Sequence, residues 1–211
     1  MRKDYTHISV VLDESGSMDV IKKATIEGYN DFVKKNSESP GYLTTLLTRF
    51  NGKVKLGSPV EGALNTIDQF SYIPSGTTAL YDAIGNTINK TGSYLSAMKE
   101  DARPDKVVFV IVTDGEENSS HEFNRDQIFK MITLQQDQYN WEFIFMGANQ
   151  DAYKVGSDLG IHGHNTLTYG YSNLQANKAW AGMTLNTMSY RCGTSANASF
   201  SDSQRQEQET N

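Results

Sequence analysis

Three short segments gather carboxylates and hydroxyls: Asp13-Glu14-Ser15-Gly16-Ser17, Ser75-Gly76-Thr77-Thr78 and Thr113-Asp114-Gly115. Each either closes a run expected to be a parallel strand or enters an expected helix. Their candidate side chains offer oxygen, and none offers sulfur or imidazole. That donor set suits a hard divalent cation, Mg²⁺ or Mn²⁺, over zinc. Two acids, Asp13 and Asp114, balance a +2 ion, and hydroxyls add no further charge. The ion therefore stays electrophilic and can accept one more carboxylate from outside. Mg²⁺ seeks six oxygens at about 2.1 Å, so two acids and three hydroxyls, some acting through water, leave a position open. Gly16 lets a D-x-S-x-S turn fold tightly around such an ion.

Each segment alone has an ordinary reading. Ser15 and Ser17 suit a helix N-cap before Asp19, and Asp114-Gly115 suits a turn. The coincidence of all three favours the metal site. In open α/β sheets, ligands bind beyond the carboxyl ends of the strands, where strand order reverses. If the strands before Asp13 and Asp114 are neighbours, both carboxylates reach one point.

The elements that would place them alternate. His7 to Leu12 is a short apolar run ending in acid and reads as a buried strand. Asp19 to Lys35 has helical spacing and stops at Asn36-Ser37 and Pro40-Gly41. Tyr42 to Phe50 reads as a strand, and Asn51-Gly52 predicts a type I′ hairpin into Lys53 to Leu56. A short turn or helix is expected over 62–68 and a long helix over 79–100. Lys106 to Thr113 contains VVFVIV, apolar on both parities, and so reads as a central parallel strand buried on two faces. Helix 124–139 with an Asn cap, strand 141–146, helix 151–159, strand 165–169 and helix 173–190 complete the pattern. This order predicts a Rossmann-like three-layer α/β/α sandwich, with a mostly parallel sheet and one antiparallel edge strand. The domain is expected to span 1–190. Residues 191–211 are mostly polar and are expected to form a flexible tail.

DESGSM at 13–18, GTTALYDAIG at 76–85 and VTDGEEN at 112–118 together resemble the von Willebrand factor type A domain and its metal-ion-dependent adhesion site. WEFIFMGANQDA at 141–152 is similar to small stand-alone bacterial and phage members. The resemblance implies that Asp13, Ser15, Ser17, Thr78 and Asp114 hold the cation, with Thr77 an adjacent and chemically identical alternative to Thr78. It also implies a protein partner that presents an Asp or Glu carboxylate to Mg²⁺ or Mn²⁺. Glu14, Thr77, Glu116 and Glu117 are expected on the partner-binding rim. There Glu116 and Glu117 read first as solubilising surface acids, and otherwise as groups that repel a lone acid and favour a partner that pairs its acid with Lys or Arg.

Composition narrows the function classes. The chain has 211 residues and a formal net charge of -6, which argues against a general basic field for nucleic acid or acidic membranes. The only cysteine, Cys192, allows no intrachain disulfide and fits a reducing, cytoplasmic setting. The N-terminal MRKDYTHISVVLD reads as a first strand, not a signal peptide. No stretch approaches the ~18 apolar residues of a membrane span. His162-Gly-His164 lacks a third soft ligand and reads as a loop. The expectation is a metal-dependent binding module that is not an enzyme. The alternatives are a metal-assisted phosphoryl-transfer or hydrolytic enzyme, and a structural subunit of a larger assembly. Against the enzyme stand the absence of a second catalytic acid in D-E-S and of a phosphate loop or G-x-S-x-G elbow.

Overall fold

The computed structural model describes residues 1–62 and 65–209. One sheet forms its centre. Strand β1 (Arg2–Asp13) pairs in parallel with β2 (Tyr42–Phe50) on one side and β5 (Pro104–Thr113) on the other. Beyond β5 follow β6 (Glu142–Ala148) and β7 (Thr166–Tyr169), both parallel. At the opposite edge β3 (Val54–Leu56) and β4 (Val60–Glu61) each pair antiparallel with β2. The order is thus β3-β2-β1-β5-β6-β7, with β4 also on β2. The expected antiparallel edge strand is present, divided into two pieces. Between them Gly57 donates its N–H to the Leu47 carbonyl, an approach so close that a Cβ there would overlap that oxygen.

The chain leaves β1 toward β2 and later returns to place β5 on the other flank of β1, so the strand order reverses between β1 and β5. That is the switch point where open α/β sheets bind ligands. Register sets it closely: Leu12 lies opposite Val112, so Asp13 and Thr113 end side by side.

Helices cover both faces. On one lie α1 (Lys22–Glu38) and α5 (Asn173–Arg191), packed on Ile8, Val10 and Leu12 of β1 and on Val108, Val110 and Val112 of β5. On the other lie α2 (Leu80–Ser96), α3 (Arg125–Tyr139) and α4 (Ala152–Asp158), against Val107, Phe109 and Ile111. The two parities of VVFVIV thus feed two separate cores, as a central parallel strand requires. Gly28 of α1 sits directly on the Trp180 indole of α5, where a Cβ would overlap the ring. Asn124 caps α3 reciprocally with Gln127, and Asn140 ends it in the left-handed conformation at φ 52°. Among the described residues no helix is long and apolar enough to cross a membrane.

Two local expectations change, and a third lies partly outside the described residues. The Asn51-Gly52 turn is not type I′, because neither residue has positive φ and Phe50 pairs with Val54 across three loop residues. Asn51 closes the turn through its own side chain, which accepts from the Lys53 N–H at 3.0 Å. The tail is packed: α6 (Asp202–Glu209) lies on α5 and β7, Ala198 and Phe200 join the core, and Arg205 donates to backbone carbonyls at 163, 164 and 166. The expected turn or helix over 62–68 starts as a turn at Gly62, includes residues 63 and 64, which lie outside the described set, and has no regular element over 65–68.

Candidate functional site

The three oxygen-rich segments meet beyond the carboxyl ends of β1 and β5. Asp13 is the last residue of β1 and is fully buried. Its Oδ1 accepts from the Ser15 N–H at 2.7 Å and its Oδ2 from the Thr113 hydroxyl at 2.6 Å. The Ser15 and Ser17 hydroxyls lie 3.2 Å apart, and Ser17 donates to Asp114 Oδ1 at 2.7 Å. Tyr171 donates to Asp114 Oδ2 at 3.0 Å. The second segment is drawn in by the Gly16 N–H, which donates to the Gly76 carbonyl at 3.2 Å.

The two threonines separate. A Cβ on Gly115 would lie 2.9 Å from Thr78 Oγ1 and 3.6 Å from Ser15 Oγ, so the buried Thr78 hydroxyl belongs to this cluster. Thr77 is exposed and turns the other way, its hydroxyl 2.5 Å from where a Gly52 Cβ would stand. Gly52 is therefore needed for the close approach of the threonine loop, not for its φ.

Of the expected rim residues, Glu116 is exposed, whereas Glu14 and Glu117 have other work. Glu14 is fully buried and does not reach a rim. Lys55 at 2.9 Å and Arg49 at 3.7 Å neutralise it, and it accepts from the Ile73 N–H at 2.8 Å. Glu117 accepts from the N–H groups of Tyr81, Ser119 and Ser120 and from the Ser120 hydroxyl, and so holds the loop after β5 against the start of α2.

The electrostatics of Asp13 and Asp114 contrast with those of Glu14. Among the described residues neither aspartate forms an ion pair. Burial pushes the Asp13 carboxyl up to about 6, against the pull of Thr113 and Ser15, and the charge of Asp114 adds to the rise. Burial also raises Asp114, against hydrogen bonds from Ser17 and Tyr171. Behind them the Tyr169 hydroxyl is buried without a hydrogen-bond partner, and after burial itself the charges of Asp114 and Asp13 raise it most. Two adjacent buried acids, three hydroxyls and an orphaned phenol oxygen form a donor set that fits a hard cation and its water. Among the described residues no three His, Cys, Asp or Glu side chains gather, and His162 and His164 stack on an exposed turn.

Solved structures share this architecture. A von Willebrand factor type A protein from Catenulispora acidiphila superposes with a TM-score of 0.53 at 13% identity, over 88% of this chain and 43% of that one. The manganese-loaded TRAP protein of Plasmodium vivax gives a TM-score of 0.55 at 17% identity, over 86% and 72%. The vWF domain of the type V pili tip protein Mfa5 from Porphyromonas gingivalis gives 0.60 at 8% identity, over 86% and 94%. This chain has the von Willebrand factor type A fold. It spans less than half the length of the Catenulispora protein. No family model matches the sequence, and no curated protein matches it.

Within this type A fold, several residues that shape the site escape sequence reasoning. Thr113, named only as part of its segment and not as a support, holds Asp13, Tyr171 holds Asp114, and Tyr72 donates to the Asp13 carbonyl at 2.5 Å. Asn118 pairs reciprocally with the backbone of Thr78, at 2.9 and 3.0 Å. Asp82, buried in the first turn of α2, accepts from the N–H groups of His121, Glu122 and Phe123. The available signal was small: Thr113 immediately precedes Asp114, and Asn118 closes the VTDGEEN stretch. Nothing near Tyr72 or Tyr171 in sequence marks them.

Proposed function

We propose that this chain is a divalent-cation-dependent protein-binding module. In this reading Asp13, Ser15, Ser17, Thr78 and Asp114 hold Mg²⁺ or Mn²⁺, and an Asp or Glu carboxylate from a partner protein completes the ion's coordination. One contrast carries the reading. Glu14 is as buried as Asp13 and is matched by Lys55 and Arg49, whereas Asp13 and Asp114 meet only hydroxyls and an N–H. Buried charge is retained where a cation pairs it. Ser17 is exposed, so the cluster opens to solvent on the side from which a partner would come.

The chain's own groups prepare the site. Ser17 directs its proton at Asp114, which leaves the hydroxyl lone pairs facing the cluster. Thr113 and the Ser15 N–H fix both oxygens of Asp13. The bound cation supplies Lewis acidity toward the incoming carboxylate. The manganese-loaded TRAP neighbour and the pilus-tip neighbour support cation use and interaction without turnover. A cytoplasmic setting belongs to the same reading and rests on the single cysteine.

Calorimetric titration with Mn²⁺ and Mg²⁺ tests it. Wild type and Thr77→Ala should bind one ion, whereas Asp114→Ala and Thr78→Ala should lose roughly tenfold or more of the affinity. Folded wild-type protein that binds neither ion removes the reading. Mg²⁺-dependent phosphate-ester hydrolysis that disappears in Asp114→Ala would replace it with the enzyme alternative.

A further inference from the structure

The residue that completes the hydrogen bonding of Asp114 comes from far along the chain. Tyr171 lies between β7 and α5, immediately before Ser172, which caps α5. Its hydroxyl donates to Asp114 Oδ2 at 3.0 Å while Ser17 occupies Oδ1 at 2.7 Å, so both oxygens of this acid already receive a proton donor. The donors differ in kind. Ser17 belongs to the D-x-S-x-S turn and can turn its lone pairs toward a cation. Tyr171 is half-buried and takes the other oxygen of the carboxylate, with its hydroxyl also beside that of Ser17.

We infer that Tyr171 is a positioning residue whose hydroxyl withholds part of Asp114's charge from a bound cation, keeping that ion electrophilic toward the partner's carboxylate. The inference rests on the cation reading above. A hydroxyl that donates to a carboxylate stabilises its charged form and competes with a metal for the same electron density. It also holds one oxygen away from the ion, which opposes two-oxygen chelation by Asp114. Groups one step removed from a metal commonly set ligand orientation and strength in this way. Removing this donor should therefore have two effects of opposite sign. Asp114 becomes a stronger ligand, so the cation binds more tightly. The more fully neutralised ion then binds an external carboxylate more weakly.

Tyr171→Phe separates this from a structural role, because it removes the hydroxyl and keeps the half-buried ring. Mn²⁺ affinity is read by electron paramagnetic resonance on wild type and variant. Acetate is then titrated into each Mn²⁺-loaded protein, and the fall in water-proton relaxation reports displacement of metal-bound water. The expected result is a Kd for Mn²⁺ lowered by roughly three- to tenfold, less than the full worth of a charged hydrogen bond because water replaces part of it. Acetate affinity should fall by a similar factor. A variant that binds Mn²⁺ more weakly, or in which both affinities move together or stay unchanged, overturns the inference and leaves the cation site standing. Wild-type protein that binds no Mn²⁺ overturns both. A circular-dichroism melt of metal-free Tyr171→Phe within a few degrees of wild type, as one lost part-exposed hydrogen bond predicts, is required for the inference to stand.

Discussion

Replacing Asp13 by Asn should stabilise the protein when no divalent cation is supplied. Asp13 is fully buried and its carboxyl is pushed up to about 6 from the ordinary 3.8, chiefly by burial. A folded-state value raised above the unfolded one favours the fold at low pH, where the group is neutral in both states. That advantage is lost as pH rises through 6. At pH 7.5 the ionised carboxylate therefore burdens the fold by about two pK units, or ~3 kcal/mol, and by pH 4 the burden is below about 1 kcal/mol. Asparagine fits the same space. Its oxygen can accept from the Ser15 N–H, and its amide can donate to Thr113 Oγ1 once that hydroxyl turns to the Gly115 carbonyl, 3.3 Å away. Allowing for imperfect replacement, Asp13→Asn should gain about 1–3 kcal/mol at pH 7.5 in EDTA, or roughly 3–10 °C in Tm for a domain of this size. The gain should shrink at pH 4. Saturating Mg²⁺ should raise the Tm of wild type and leave that of the variant unchanged. Circular-dichroism melts at the two pH values, with EDTA and with Mg²⁺, supply all the comparisons. A variant less stable than wild type at pH 7.5 in EDTA, with an unchanged gap at pH 4, would show that the hydroxyl and N–H donors already satisfy the charge.

Two further outcomes concern the scaffold. His7 is buried between Thr44 Oγ1 at 2.8 Å and Ser9 Oγ at 3.1 Å, and burial pushes its imidazole down to about 3. The neutral ring is favoured by the fold, so its contribution is complete above pH 6.5 and is lost as pH falls toward 3, by up to ~4–5 kcal/mol. Urea titrations of His7→Gln should show a shallower loss of stability between pH 6.5 and 4 than wild type, and parallel profiles would refute the assignment. Gly28→Ala gains about 1 kcal/mol of helix propensity but drives a methyl into the Trp180 indole. Overpacking of about 1–3 kcal/mol should win. Net stabilisation in urea would show that α5 can shift away from α1 without loss.

Residue type and spacing were legible wherever local chemistry decides the outcome. Tyr42–Phe50 forms the strand its residues predict, VVFVIV is buried on both faces, and Asn124 caps α3. Expectations changed where a distant contact decides. Asn51-Gly52 reads as a type I′ turn by itself, but the glycine serves the approach of Thr77, 25 positions later. The tail reads as flexible by composition, yet Ala198 and Phe200 enter the core and Arg205 collects carbonyls. Glu14 reads as a rim acid because its cations, Arg49 and Lys55, come from β2 and β3. The same holds for Tyr171, which reaches Asp114 across 57 positions. The resemblance placed the five oxygen donors, and the structure brings them to one place. What supports them could not be read before the strands were adjacent.

Glu14 and Asp13 together show how the turn tolerates its charge. The two acids are consecutive and equally buried, but Asp13 finds its hydroxyl partner on β5 while Glu14 finds its cations on β2 and β3. Glu14 is closed off by Lys55, Arg49 and the Ile73 N–H, and its own N–H and carbonyl bind the Phe50 carbonyl and the Ser75 N–H. It thereby ties β1 to β2 and to the loop that delivers Thr78. Lys55 and Arg49 stay partly exposed, so losing either costs less than the loss of one side of a fully buried pair, and Glu14 anchors the turn through these ion pairs together with its hydrogen bonds. Asp13 is held by directional hydrogen bonds that leave its charge available. A domain's net stability is about 5–15 kcal/mol, and a ~3 kcal/mol burden from Asp13 is a large fraction of it. The anchor keeps the turn folded while that burden remains, and a cation that relieves it would raise stability and create the docking point in one step.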